Sequence, residues 1–134
     1  MTKSKAKGTT AEREVVRYFQ NWWPAAERRA LSGSRDRGDV AGIPGVCIEI
    51  KAAKTQLIGP WQREALTEMA NAEASTCLLV VKRPYKGVAQ WDAYMPVGLL
   101  GSALRGALAD GERSLSWVRM DLALAAAVLR SQAF

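Results

Sequence analysis

Asp39, Glu49 and Lys51 are the residues whose types and spacing can do chemistry in this chain. Gly38-Asp39-Val40 puts a carboxylate at the edge of a short strand. Ile48-Glu49-Ile50-Lys51 then puts a carboxylate and an ammonium at alternate positions of the next strand. Side chains alternate between the faces of a strand, so Glu49 and Lys51 point the same way while Val46, Ile48 and Ile50 fill the opposite face as core. An acid and a lysine held side by side, with a second acid nearby, can bind a divalent cation and manage a water beside it. That is the equipment of a metal-dependent phosphodiesterase. Each piece also has an ordinary reading: Glu-x-Lys as a solvated strand face with a weak ion pair, Gly-Asp as turn chemistry. Their combination on one hairpin is what favours the chemical reading.

The rest of the composition narrows the chemistry. The chain has 134 residues, enough for one domain with its own core, and 19 Lys and Arg against 13 acids, a net charge of +6. That balance, with a pI near 9.7, suits a polyanionic partner. There is no histidine, which excludes Ser-His-Asp and Cys-His catalysis, histidine-metal nucleases and the common zinc sites. Any catalysis must then run on carboxylates, lysine and a hard metal ion. Cys47 and Cys77 fall in expected strands and read as small buried hydrophobes. The longest apolar run, Leu122 to Leu129, is too short to span a bilayer, and Met1 to Lys5 lacks a signal-peptide core. A soluble, intracellular protein without membrane association is expected.

The elements that must position these residues follow from periodicity. Residues 1–8, with Lys3, Lys5 and Lys7, read as a flexible basic arm. Thr9-x-x-Glu12 matches a capping box opening a helix, whose stripe is Val15, Val16, Phe19, Trp22 and Trp23 and which Pro24 ends. Tandem Trp22-Trp23 could stack on bases, but both lie on the stripe, and core burial is the preferred reading. Strands follow at 26–32, at Val40-Ala41 and at 46–52, with a polar loop over 33–38 and a turn at Gly42-Ile43-Pro44-Gly45. A helix from Pro60 to about residue 73 is expected to bury Trp61, Ala65, Leu66, Met69 and Ala72. Thr76 to Val81 is a continuous apolar run, the mark of a strand covered on both faces. A strand at 88–95, a helix at 97–109, a turn at Asp110-Gly111, a strand near 114–119 and a helix from 121 to about 131 complete the chain. The order predicts an α/β fold with a mixed central sheet flanked by helices. It forms a single domain: a basic arm at 1–8, a core at 9–95 and a C-terminal helical and strand extension at 96–134.

Glu12 has two readings. It completes a capping box with Thr9, or the helix start aims it at the metal site beside the apolar stripe. Arg28, Arg29, Arg35, Arg37, the lysine arm and Lys54 read either as a DNA footprint around that site or as a solvated basic rim. Gln62, near the start of the second helix, either reaches the site or is surface.

With Lys7-Gly8 ahead of Glu12-Arg13-Glu14, then Ser32-Gly33-Ser34, Asp39 and Glu49-x-Lys51, residues 7–82 resemble the PD-(D/E)xK nuclease superfamily, and more narrowly the archaeal-type Holliday-junction resolvases. The resemblance implies a restriction-endonuclease-like core (α-β-β-β-α-β). It implies Asp39 and Glu49 as the main metal ligands, the Ile50 carbonyl as a third, and Glu12 acting directly or through water. Lys51 would position or help deprotonate the attacking water. Its charge favours orienting water or offsetting negative charge over acting as a literal base. Arg13 and one of Arg28 and Arg29 match phosphate contacts, and Ser34 a loop serine beside the scissile strand. Glycine stands at position 38 where the superfamily has the proline of its name, and no family motif is found beyond about residue 88. The expected activity is therefore a Mg²⁺-dependent structure-selective DNA endonuclease, with Mn²⁺ able to substitute. It would resolve four-way junctions in recombination and repair as a homodimer, with Leu122 to Leu129 or the region 88–105 offered as interface. A location with the nucleoid in the cytoplasm follows, a phage origin being compatible. The alternatives are a repair nuclease of the same superfamily acting on flaps, nicks or ends, and a nucleic-acid-binding module that does not cleave.

Overall fold

A computed structural model describes residues 3–30, 35–99 and 116–134. The elements are α1 (Lys3–Phe19), β1 (Glu27–Arg28), β2 (Val40–Ala41), β3 (Val46–Lys51), α2 (Ile58–Asn71), β4 (Thr76–Val81), β5 (Asp92–Pro96), β6 (Trp117–Asp121) and α3 (Leu122–Ser131), with short 3₁₀ turns on either side of β5. The four longer strands form a mixed sheet in the order β3-β4-β5-β6; β3 and β4 are parallel, and the other two pairings are antiparallel. β1 and β2 form a separate antiparallel pair, Arg28 opposite Val40. Asp39 N–H donates to the Ile48 carbonyl at 2.7 Å, which ties this pair to the open edge of β3.

Alternation sorts the side chains of β3 and β4 into two layers. Ile48, Ile50, Leu78 and Val80 join Ala11, Val15 and Phe19 of α1 and Leu122, Ala125, Ala126 and Leu129 of α3 in the main core. The other face meets α2 in two small clusters, Cys47, Ala65 and Cys77 in one, Trp61, Leu79 and Val81 in the other. Burying a side chain such as Phe19 or Leu78 completely stabilises the fold by about 1.5–3 kcal/mol. β3 and β4 are thus covered on both faces, and every residue of β4 is buried, as its continuous apolar run predicts. Both thiols are free and buried. Among the described residues, no helix is long and apolar enough to cross a membrane.

Several expectations are corrected. Lys3 to Gly8 belong to α1, not to an arm, so Thr9 lies inside the helix and the capping box does not form. Thr10 Oγ1 instead donates to the Ala6 carbonyl at 2.9 Å, a bond that requires helix already wound on its N-terminal side. Trp22 and Trp23 lie just past the end of α1. Trp23 is buried, and the Arg130 guanidinium covers the Trp22 ring at 4.1 Å from its centroid, so neither is a free base-stacking platform. The strand expected at 88–95 begins at Asp92, after a 3₁₀ turn at Val88–Gln90. Within α2, Leu66 is 37% exposed and the buried positions are Trp61, Ala65 and Glu68. β6 and α3 are no extension: β6 completes the sheet, and α3, capped by Asp121, whose Oδ1 accepts Leu124 N–H at 2.8 Å, supplies Leu122, Ala125, Ala126 and Leu129 to the core at one-turn spacing. Leu122 to Leu129 are consequently largely spent on the chain's own core. The helix expected at 97–109 and the Asp110-Gly111 turn lie outside the described residues apart from a 3₁₀ turn at Val97–Leu99.

Candidate metal centre

Asp39 occupies the edge of β3 where a further strand would pair. Its N–H donates to the Ile48 carbonyl and its Oδ2 accepts the Ile50 N–H at 2.8 Å, so backbone and side chain together continue the ladder. This fixes the carboxylate beside the Glu49-Lys51 side of the strand. Gly38 makes the approach possible: its φ of +92° is closed to proline, and a Cβ there would lie 2.9 Å from both Cys47 Sγ and the Ile48 carbonyl. Glycine at position 38 is therefore required by this backbone.

Glu49 is only 4% exposed, because α2 covers the face it shares with Cys47 and Lys51. Its Oε1 lies 3.2 Å from Lys51 Nζ, and its Oε2 is buried with no hydrogen-bond partner. Lys51 also pairs with Glu64 at 3.0 Å. Burial alone lowers the Lys51 pKa, but the Glu64 hydrogen bond and the charges of Glu49 and Glu64 outweigh it and hold the ammonium above its usual range. Lys51 is therefore held as a cation. Asp39 is pushed up to about 8, first by burial and then by the charge of Glu49; the Ile50 N–H partly offsets this, and Glu12 adds to it. The site is short of positive charge.

Two open clefts, of about 540 and 1180 Å³, meet at Gly8, Glu12 and Asp39. Arg28, Arg29, Arg35 and Arg37 line the first, with Lys5; Lys7, Lys51 and Lys54 line the second, with Glu49 and Ile50. Glu12 lines both clefts, and its Oε2 accepts from Arg28 Nη2 at 2.8 Å and Nε at 3.1 Å. Of the arginine pair, Arg28 therefore holds Glu12. Arg29 N–H donates to the Asp39 carbonyl at 2.9 Å, and its partly covered side chain reaches the Val40 carbonyl at 3.5 Å. Arg13 and Gln62 line neither cleft. Ser34 lies outside the described residues.

Three acids escaped the sequence reading: Asp36, Glu64 and Glu68. Glu68 is 1% exposed, and neither of its oxygens has a partner. Burial first, then its contact with Glu49 and the charges of Glu49 and Asp36, push its carboxyl up to about 11. The signal was present: Trp61, Ala65 and Glu68 fall at i, i+4 and i+7, which places a carboxylate on the buried stripe of α2.

The donor set suits a hard divalent ion. Asp39, Glu49 and the Ile50 carbonyl offer oxygen only, and the orphaned Glu49 Oε2 and the raised Asp39 are the marks of carboxylates assembled without sufficient countercharge. Comparison with protein-family models, with curated proteins and with solved structures finds no match to this chain.

Proposed function

We propose that this chain is a divalent-metal-dependent endonuclease of the PD-(D/E)xK type that cuts branched DNA, acting on four-way junctions as a homodimer. One observation carries the reading: Asp39 and Glu49, ten residues apart in sequence, are held together at the edge of β3 beside the Lys51 ammonium, where two cation-lined clefts meet. Asp39, Glu49 and the Ile50 carbonyl would hold Mg²⁺ or Mn²⁺, which supplies charge neutralisation and Lewis acidity at a phosphodiester. Ile50 N–H fixes the Asp39 carboxylate, so that ligand pays little ordering entropy on binding. Lys51, kept protonated by Glu49 and Glu64, orients water and offsets charge building on the phosphate. The arginines and lysines of the two clefts take the neighbouring phosphates, with Arg28 able to exchange Glu12 for a phosphate oxygen. Cutting a junction takes two opposed nicks, and the described residues of one chain hold one such centre, so a two-fold dimer matches the symmetry of the substrate.

A panel of four-way junction, flap, nicked duplex, linear duplex and single strand, each with Mg²⁺ or EDTA, tests the reading. Symmetric junction cleavage that EDTA and Asp39→Asn both abolish is the expected result. Cleavage of flaps or nicks instead, by a protein that sediments as a monomer, leaves the nuclease and removes the resolvase. Tight binding without cleavage of any member makes the chain a binding module.

A further inference from the structure

Behind the Asp39–Glu49 site, between β3 and α2, lies a second group of acids. Asp36, Glu49, Glu64 and Glu68 each present an oxygen, all within 4.8 Å of one another. Acids often gather on surfaces without a ligand, but two features set this group apart. Glu68, on α2, is 1% exposed with both oxygens unpartnered, and the Glu49 Oε2 is likewise buried and unpartnered. Carboxyl groups buried against one another, with no donor from elsewhere in the fold, are costly unless a proton or a cation offsets their charge. Lys51 does not fill this role, since its contacts are Glu49 Oε1 and Glu64. The loop that carries Asp36 is also fastened over the group: Asn71 Nδ2 of α2 donates to the Asp36 carbonyl at 2.9 Å, and Asp36 Oδ1 accepts Gly38 N–H at 2.9 Å.

We propose that Asp36, Glu49 and Glu68 form a second divalent-cation site beneath α2, sharing Glu49 with the Asp39 centre. Oxygens on one ion can be separated by about 4 Å for Mg²⁺ and about 5 Å for Ca²⁺, twice the respective bond lengths, so the spread of the group suits one hard cation. The donors are carboxylates only, which selects Mg²⁺, Mn²⁺ or Ca²⁺ over softer ions. Glu64 stays with Lys51. An ion there joins α2 to β3 and to the loop before β2, and holds Glu49 in place from the side opposite Asp39. The inference depends on the proposed nuclease site only in that Glu49 is common to both.

Mn²⁺ binding to the full chain, counted by electron paramagnetic resonance and followed by thermal melting, separates the two sites. Two ions are expected on the unsubstituted chain, one lost in Asp39→Asn and the other in Asp36→Asn and in Glu68→Gln, with affinity at the altered site at least about 10-fold weaker. Mn²⁺ should still raise the melting temperature of Asp39→Asn, and no longer that of the Asp39→Asn, Asp36→Asn double variant. Asp36 is exposed, so Asp36→Asn decides the question even if Glu68→Gln fails to fold. A single ion on the unsubstituted chain, lost in Asp39→Asn and kept in Asp36→Asn, overturns the second site and leaves the nuclease reading intact. A single ion lost in Asp36→Asn and kept in Asp39→Asn supports the second site and removes the nuclease centre.

Discussion

On the face of the sheet that meets α1 and α3, Ile48, Ile50, Leu78 and Val80 pack into one apolar cluster, whereas under α2 the same two strands present Glu49 and Lys51 among Cys47, Cys77, Leu79 and Val81. The first face does what cores do. Under α2, well-packed apolar side chains give way to Glu49 and Glu68, whose oxygens lack donors. Folding alone gives no reason for that arrangement, because replacing buried ionisable groups by apolar ones is often neutral or stabilising. The contrast teaches where to look for function: at the face that carries a stability cost with no packing return.

Glu49→Gln is the sharpest test of that contrast. It should lower cleavage by more than the roughly 10–100-fold seen when a partner of a metal ligand is removed, while the metal-free protein melts at the same temperature or higher. Equal losses of activity and of folded protein would make Glu49 a structural residue. On the opposite face, Ile48→Ala should cost about 2–5 kcal/mol by chemical denaturation, and the surviving folded fraction should cleave normally. A specific loss of activity in that variant would erase the division between the faces.

The pH dependence of stability follows from Asp39 and Glu68. Their folded-state pKa values, about 8 and about 11, stand above the ordinary 3.8 and 4.5. In that interval the folded chain binds protons that the unfolded chain has released, so stability falls as pH rises through it. The metal-free protein should therefore melt higher near about pH 5 than near about pH 8, and saturating Mn²⁺ should narrow the gap by replacing protons. A melting temperature that climbs with pH over this range would show that both acids are charged in the metal-free fold.

Glu64→Gln removes one of the two carboxylates that hold Lys51. The rate at saturating DNA should drop by about 10-fold with little change in the KM for DNA, since Glu64 acts through the ammonium. A rise in KM alone would make Lys51 a phosphate anchor. Thr9→Ala has the smallest expected effect. Thr9 lies within α1, so the change should be neutral or stabilise by up to about 0.7 kcal/mol in thermal melts. A loss of about 0.5–2 kcal/mol is what a helix cap at Thr9 would give.

Legibility from sequence depended on whether a signal was local. The strands β3 and β4 and the helix α3 declare themselves through period and apolar content, and the Gly42 to Gly45 turn through its residue types. The start of α1 did not, because Thr9 and Glu12 have the spacing of a capping box whether or not Lys3 to Gly8 are already helical. Leu66, expected to be buried, is exposed, and Glu68 is buried, because the sheet, rather than hydrophobicity, decides which stripe of α2 faces inward. The pairing of Glu12 with Arg28 spans sixteen positions and two elements, and no local pattern announces it.

What the sequence by itself determined is the chemistry available: no histidine, an excess of cations, and Glu49 and Lys51 on one side of a strand by the alternation of its side chains. What only the tertiary structure decided is the environment of those groups. Packing α2 over β3 removes Glu49 from water and sets Glu68 and Asp36 against it, while the edge position of Asp39 makes its carboxylate part of the sheet's hydrogen-bond ladder. The reason is physical: the strength of a charge interaction depends on separation and on the surrounding dielectric, and for residues remote in sequence both are set by packing.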